Sequence, residues 1–205
     1  MKKPIPDIVI GRLPVYLRAL QHMMDAGRSV TSSQELGERL GISAAQIRKD
    51  LSQIGEFGKQ GTGYTIEFLA QQIQAILKIE KVWEIALIGA GDMGNALAAY
   101  QGFNQRGFHI SKIFDSDPNK IGKQIGDYKV LNIESMESEI KKANIKIAML
   151  AVPASVAQEV TDKLVDAGIK AILNYAPVSI NVPEGVRKQY IDPAVHLQRM
   201  SYYLK

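Results

Sequence analysis

The segment Trp83–Gly94 reads WEIALIGAGDMG, and it decides the fold class that we predict for the chain. Its first half is a short apolar run, which is typical of a strand buried on both faces of a parallel sheet. Three glycines follow at G-x-G-x-x-G spacing, and a helical composition begins inside them. In a dinucleotide site such glycines allow a tight turn, close approach to a pyrophosphate and close packing of helix on strand. The free N–H groups at the helix start favour phosphate. The loop residues expected to contact the cofactor are Gly89, Ala90, Gly91, Asp92, Met93 and Gly94.

A second strand is predicted at Ile110–Asp115, and it ends in a carboxylate. Asp115 lies about 20 residues beyond the glycines, where an acidic side chain binds the ribose hydroxyls of a dinucleotide. The next residues, Ser116–Pro118, include no arginine to receive a 2′-phosphate, which favours NAD over NADP. The alternative is that Asp115 only caps a turn before Pro118.

Two further apolar segments, Lys146–Val152 and Ala171–Asn174, are predicted as buried strands. The last strand is predicted at Tyr190–Asp192. Alternating strands and helices predict a doubly wound α/β sheet, in which the carboxyl ends of the strands face the cofactor. We therefore expect a Rossmann domain over residues 80–192.

Composition limits the possible classes of protein. With 205 residues, 46% hydrophobic and 22% charged, the chain can form two small soluble domains. No apolar run is long enough to span a membrane, and the amino terminus lacks the apolar core of a signal peptide. Cysteine is absent, which excludes disulfides, thiolate nucleophiles and Cys-ligated metals. We expect a cytoplasmic protein without a metal or membrane partner.

The net charge of +4 does not indicate a nucleic-acid partner by itself. Residues 1–77 contain nine basic and seven acidic side chains, and residues 78–205 contain 16 and 14, so each part carries +2. Evidence for nucleic acid must therefore be local.

Local evidence lies in the amino-terminal segment, where two helices with capping boxes are predicted around a turn at Gly41. The boxes begin at Ser32 and Ser43, and each has a Glu or Gln three residues later. Two short helices joined by a glycine turn are typical of a helix-turn-helix. An earlier helix is expected to begin at Gly11–Pro14, with Pro14 near its first turn.

The second of these helices has one apolar and one polar face. Ile47, Leu51 and Ile54 are spaced to face the core, whereas Arg48 and Lys49 face elsewhere with other polar residues. Such a polar face suits the major groove of DNA, although an ordinary solvated face is the alternative.

A glycine-rich segment, Gly55–Ile66, follows that helix directly. A hairpin with a basic residue at this point is typical of the wing of a winged-helix DNA-binding domain, and Lys59 could reach the phosphate backbone. The alternative is a plain glycine loop. We place the end of the DNA-binding domain near Lys78–Lys81, giving residues 1–79.

A final helix is predicted from Ala194 to about Tyr203, within residues 193–205. A short terminal helix with apolar residues is marginal alone, so it must dock. It covers either its own sheet or a second subunit.

The histidines argue against an enzyme. The chain contains three, His22, His109 and His196, and none is placed to donate a proton beside a nicotinamide. The segment 81–192 is also too short for a separate substrate domain. Two alternatives stay open: an NAD-dependent oxidoreductase with an accessory amino-terminal domain, and a CoA- or nucleotide-binding module.

Several motifs resemble those of the Rex family of redox-sensing transcriptional repressors, over nearly the whole chain. The most specific are Arg48–Ser52, Gly55–Lys59 and Gly61–Tyr64. Further matching segments are Arg12–Pro14, Tyr16–Arg18, Gly89–Gly94, Phe114–Asp115, Asp117–Pro118, Asn174, Ala176–Pro177 and Ser201–Leu204.

The resemblance implies a homodimer with a winged-helix domain, a Rossmann domain and a terminal helix exchanged between subunits. Such a repressor binds palindromic double-stranded DNA and is released by NADH, whereas NAD permits binding. The DNA contacts implied are Ser43, Gln46, Arg48, Lys49 and Lys59. The resemblance places Val152, Pro153, Ala176 and Pro177 near the nicotinamide, and Asp115 at the adenosine ribose. Contacts that change with redox state are implied for Arg18, Tyr100 and Asp192.

Two positions depart from the pattern of the family. Gln101 stands where the family usually has proline, and Gln53-Ile54 replaces an aromatic pair. The first bears on the redox-dependent contact that the resemblance implies for Tyr100, and the second bears on packing under the wing.

Overall fold

The computed structural model describes residues 4–55, 57 and 63–204, and it divides the chain into two compact units, Met1–Lys81 and Val82–Lys205. Each unit has its own buried apolar core. Within the described residues, no helix is both long and apolar enough to cross a membrane.

Over the part that the structure describes, the first unit is helical, with one small antiparallel pair of strands. Its elements are α1 (Asp7–Asp25), β1 (Val30–Thr31), α2 (Ser33–Leu40), α3 (Ala44–Ile54), β2 (Tyr64–Thr65) and α4 (Ile66–Leu77). The strands pair Val30 with Thr65 and Thr31 with Tyr64. Fully buried Leu13, Leu36 and Ile47 bring α1, α2 and α3 into one core.

The caps of α2 and α3 agree with the sequence prediction. The hydroxyl of Ser32 accepts from the backbone N–H of Glu35 at 3.1 Å, and that of Ser43 accepts from Gln46 N–H at 3.2 Å. Both bonds satisfy N–H groups that have no partner inside the helix. Gly41 ends α2 with a φ of 65°, in the left-handed region that glycine adopts without strain. The helix-turn-helix is therefore defined by local signals.

The predicted start of α1 was wrong. The helix begins at Asp7, so Pro14 lies inside it. The apolar face already starts at Val9, which shares one side of the helix with Leu13 and Tyr16, and burial of this face outweighs the missing N–H of Pro14. Pro14 is exposed, so its ring lies on the solvent side of the helix.

The second unit is built on a seven-stranded sheet in the order β5-β6-β4-β3-β7-β8-β9, parallel except for β5. The strands are β3 (Trp83–Ile88), β4 (Phe108–Asp115), β5 (Gln124–Ile125), β6 (Tyr128–Asn132), β7 (Ile147–Leu150), β8 (Ala171–Asn174) and β9 (Arg187–Tyr190). The helices are α5 (Asp92–Ala99), α6 (Met136–Ala143), α7 (Ala157–Asp166) and α8 (Pro193–Ser201).

The strand order matches that of dinucleotide-binding folds. Without the antiparallel β5, the order is third, second, first, fourth, fifth, sixth, as in a doubly wound Rossmann sheet. The chain reverses direction across the sheet between β3 and β7. Ligands of such sheets bind outside the carboxyl ends of the strands at this point.

The glycine loop after β3 is packed too closely for side chains. A Cβ on Gly94 would lie 1.9 Å from the carbonyl oxygen of Gly89, and one on Gly89 would lie 2.2 Å from that of Ala151. Gly89 also has a φ of 101°. Around Gly91, in contrast, no atom lies within 4 Å of an added Cβ. Gly89 and Gly94 therefore allow close packing of the backbone, whereas Gly91 leaves open space beside the loop.

We expect Gly94→Ala to destabilise the second unit by about 1–3 kcal/mol, because the added methyl group collides with rigid backbone. Denaturant unfolding followed by circular dichroism would measure the loss. Gly91→Ala is the matched control, expected to unfold like the wild type. Equal stability of Gly94→Ala and wild type would show that the loop shifts without cost.

The two edge strands of the sheet, β9 and β5, differ from the sequence prediction. The last strand is Arg187–Tyr190, although Tyr190–Asp192 was expected. Its side chains are all exposed at the sheet edge, so no buried apolar pattern marks it. The short strand β5 was not predicted, since two residues give no periodicity.

Candidate nucleotide and DNA-binding sites

A cavity of about 530 Å³ lies at the carboxyl ends of β3, β4 and β7 in the second unit. From the predicted cofactor set, the residues that line it are Gly89, Gly91, Asp92, Met93, Asp115, Val152 and Pro153. Helix α5 begins inside its wall, and its amino end provides N–H groups and a positive dipole end for phosphate. This cavity has the position and lining of a dinucleotide site.

The carboxylate of Asp115 is hydrogen-bonded to the backbone of the glycine loop. It accepts from the backbone N–H of Ala90 at 2.7 Å and from that of Asp117 at 2.8 Å. Lys120 donates to the same carboxylate at 3.3 Å. Burial opposes ionisation of Asp115, but these hydrogen bonds outweigh it and hold the pKa below its ordinary value. Asp115 is therefore an ionised acceptor at the wall of the cavity.

The lowered pKa of Asp115 predicts a pH-dependent contribution to stability. A group whose pKa is lower in the folded state stabilises the fold above its unfolded pKa, about 4, and loses that contribution as the pH falls through the folded value. We expect the difference in unfolding free energy between wild type and Asp115→Asn to shrink below pH 4. Urea unfolding from pH 7 to 3 at one protein concentration would measure it.

Asp166→Asn, at an exposed position of α7, controls for the change in net charge. A difference between wild type and Asp115→Asn that stays constant over the whole pH range would contradict this account of Asp115.

Lys120 was missed by sequence reasoning. It lines the cavity and is half-buried beside Asp115. The signal was its position two residues after Asp117-Pro118, in the turn that Asp117 closes by accepting from the N–H of Asn119. Lys120 balances the negative charge of Asp115 at the wall of the cavity.

Four members of the predicted set do not line this cavity. Ala90 and Gly94 are buried in the loop itself. Ala176 is also buried, and its N–H donates to the side chain of Asn174 at 2.9 Å. Pro177 is exposed after β8. Their assignment to the cofactor remains a prediction.

In the first unit, α3 presents the polar face expected of a recognition helix. Ser43, Arg48 and Lys49 are exposed, and Gln46 is half-buried. Arg48 donates to the hydroxyl of Ser33 at 3.1 Å, which holds its guanidinium beside the start of α2. The structure thus brings four of the five predicted DNA contacts onto one helix and its cap. Lys59, the fifth, lies outside the described residues, as do five other positions of the predicted wing, 56, 58 and 60–62.

Sequence reasoning also missed a polar cluster beneath α3. Asp50 is fully buried and accepts from Arg12, Tyr16 and Gln46. Arg12 and Tyr16 lie one turn apart on α1, so they face the same partner. The available signal was a lone carboxylate on the apolar side of an amphipathic helix.

The three residues expected to respond to redox state occupy exposed or half-buried positions. Arg18 is exposed on α1. The hydroxyl of Tyr100 accepts from Arg106 at 3.1 Å. Asp192 caps α8 by accepting from Ala194 N–H, and its other oxygen accepts from the hydroxyl of Tyr190 at 2.9 Å. The expected redox response of these three residues stays a prediction.

Helix α8 leaves its apolar side chains in solvent. Val195, Leu197 and Met200 are 51%, 65% and 61% exposed, and Tyr202 and Tyr203 beyond the helix are more exposed still. A short helix with its apolar residues uncovered gains little stability on its own. This surface is therefore suited to a further partner.

The two units together define a class of protein: a helix-turn-helix DNA-binding domain joined to a Rossmann nucleotide-binding domain. Two family models agree with this division. Residues 4–52 match the model described as "Putative DNA-binding protein N-terminus", and residues 80–178 match the model of the CoA binding domain.

Whole-chain comparisons give the family. The redox-sensing transcriptional repressor Rex of Roseiflexus sp. (strain RS-1) is 51% identical over 204 residues, which span 100% of this chain and 92% of the relative. RSP, a Rex-family repressor, has a crystal structure in complex with NAD⁺ and operator DNA. Its sequence is 39% identical to this chain, and its structure superposes with a TM-score of 0.93, covering 98% of this chain and 93% of that one. For the crystal structure of RSP with NADH, the sequence identity is 37% and the TM-score is 0.88, covering 98% of this chain and 94% of that one.

This chain belongs to the Rex family of redox-sensing transcriptional repressors. The resemblance drawn from the motifs is confirmed at the level of the family, and so is the expected fold class. The relatives are named as repressors and not as enzymes, which favours the sensor over the oxidoreductase alternative.

Proposed function

We propose that this chain is a redox-sensing transcriptional repressor that binds operator DNA and is released from it by NADH. The observation that carries this proposal is the combination, in one chain of a repressor family, of a capped recognition helix and a Rossmann cavity with Asp115 at its wall. RSP, a relative of known structure, binds NADH in one crystal structure and NAD⁺ together with operator DNA in another.

The DNA-binding surface consists of Ser43, Gln46, Arg48 and Lys49 on α3 and its cap, with Lys59 from the wing. A helix of this kind reads base edges in the major groove, and two copies related by a two-fold axis read a palindrome. The exposed positions of Ser43, Arg48 and Lys49 support the assignment. We place this domain at residues 1–79.

The cofactor-binding surface consists of the loop Gly89–Gly94 and Asp115, with Val152, Pro153, Ala176 and Pro177 toward the nicotinamide. Ionised Asp115 suits the ribose hydroxyls, and the amino end of α5 suits the pyrophosphate. The carboxylate and the absence of arginine in Ser116–Pro118 favour NADH and NAD over their phosphorylated forms. The cofactor domain comprises residues 80–192.

Residues 193–205 form a dimerisation segment in this proposal. The exposed apolar side chains of α8 support an exchange with a second copy of the chain. Arg18, Tyr100 and Asp192 then form contacts that differ between the redox states. A repressor acts on chromosomal DNA, so we place the protein in the cytoplasm.

A mobility-shift titration on a palindromic promoter fragment tests the proposal. We expect NADH to release the DNA at concentrations at which NAD does not. Coupling between two ligands is reciprocal, so the fragment must weaken NADH binding by the same factor, measured by calorimetry. Retention of the fragment at saturating NADH would contradict the proposal, and so would an NADH affinity that is insensitive to DNA.

A further inference from the structure

The carboxylate of Asp50 is the hub of the polar cluster beneath the recognition helix. Its Oδ2 atom accepts from Arg12 Nε at 2.5 Å and from the hydroxyl of Tyr16 at 2.6 Å. Its Oδ1 atom accepts from Arg12 Nη2 at 2.8 Å and from Gln46 Nε2 at 2.7 Å. A carboxylate has about four lone-pair sites, so Asp50 has no acceptor capacity left for DNA.

The ionisation of Asp50 fixes which end of the Gln46 amide faces it. Burial opposes ionisation, but the hydrogen bonds from Arg12, Tyr16 and Gln46 outweigh it and hold the pKa of Asp50 below its ordinary value. An ionised carboxylate only accepts hydrogen bonds. The amide of Gln46 must therefore present its NH₂ group to Asp50, because the reversed amide would place two acceptor oxygens against each other.

This orientation determines what Gln46 offers to a ligand. One N–H is used by Asp50, while the second N–H and the Oε1 atom remain. Among the described residues, no donor is bonded to Oε1. A neighbouring donor and acceptor on one amide match N7 and N6 of adenine in the major groove, the bidentate pair by which Gln reads this base. Guanine offers acceptors at both positions, so it does not match.

We propose that buried Asp50 is a specificity-determining residue: it holds the amide of Gln46 in the orientation that reads adenine in each operator half-site. The inference rests on the proposed function, because it requires α3 to enter the major groove. Asp50 acts through Gln46 and touches no DNA. It is a positioning residue whose effect is on base preference.

The test is selection of bound sequences from a random double-stranded DNA library by the full-length protein with NAD present. Wild type is expected to select an adenine at one position of each half-site. Gln46→Met removes both polar groups and should lose that preference by about tenfold while it retains the other positions. In Asp50→Asn the amide of Gln46 can reverse, so adenine should lose its advantage and guanine should become tolerated.

Tyr16→Phe is the matched control, since it removes a donor from Oδ2 and leaves the bond between Oδ1 and Gln46. It should lower stability but keep the adenine preference. A purely structural role for Asp50 would instead weaken binding equally on all sequences. Addition of Asp50→Asn to Gln46→Met should not change base preference further.

A second measurement needs no variant of Asp50, whose replacement also leaves the charge of Arg12 without its partner. In wild type, nuclear magnetic resonance should show the side-chain amide protons of Gln46 exchanging with water more slowly than those of exposed Gln53. Equal exchange rates would overturn the inference, and so would an adenine preference that survives in Asp50→Asn or Gln46→Met. If wild type selects no sequence at all, the proposed repressor function fails as well.

Discussion

Arg48→Ala is expected to lower the affinity of the dimer for its operator by roughly 30-fold to 20,000-fold. A good bidentate contact between arginine and a base is worth about 1–3 kcal/mol, and a palindrome contains the contact twice, giving about 2–6 kcal/mol. Arg48 is exposed on α3, and its hydrogen bond with Ser33 prepares its guanidinium before DNA arrives. Fluorescence anisotropy with a labelled operator at fixed salt would measure the loss.

Arg187→Ala is the control, because it removes the same charge from an exposed position on β9, outside the DNA-binding unit. Affinity for unrelated DNA should fall much less than affinity for the operator, since nonspecific binding depends on phosphate contacts. If Arg48→Ala binds the operator as wild type does, α3 is not the recognition helix.

Gly91→Ala is expected to weaken NADH binding by about a hundredfold without changing the stability of the cofactor-free protein. Gly91 has a φ of −79°, which alanine adopts freely, and its added methyl group would touch no protein atom. The open space at Gly91 is where the fingerprint places the pyrophosphate. Overpacking of a close contact costs about 1–3 kcal/mol, and 1.4 kcal/mol corresponds to a factor of ten.

The readout separates binding from folding, because calorimetry gives the NADH affinity and thermal unfolding gives the stability of the empty protein. This variant should also retain DNA binding but resist release by NADH. An NADH affinity within twofold of wild type would place the pyrophosphate elsewhere in the cavity.

The sequence predicts those parts of this molecule that depend on local chemistry. Ser32 and Ser43 cap their helices as their spacing indicates, and Ala171–Asn174 forms the strand expected from its apolar run. The prediction for α1 was wrong because Pro14 seemed to mark a helix start, whereas the apolar face continues through it. Tertiary burial thus overrides a local signal.

The polar cluster of Asp50 could not be predicted in the same way. Arg12 and Asp50 are 38 residues apart, and only the packing of α1 against α3 brings them together. The candidate cofactor site was easier to predict, since parallel strands bring their carboxyl ends to one edge by topology alone. Lys120 was missed because a lysine in a turn belongs to no periodic pattern, and its position after Asp117-Pro118 was the signal available.

The pairing of β1 with β2 ties together the two ends of the segment that carries both α2 and α3. Ile66 N–H also donates to the carbonyl of Ser29 at 2.9 Å, so the segment leaves and rejoins the helical core at one point. Doubling the length of a flexible loop costs only about 0.6 kcal/mol, so the strand pair fixes the point at which the chain returns whatever the number of residues between α3 and β2. We therefore expect insertions between α3 and β2 to leave the packing of α2 and α3 unchanged.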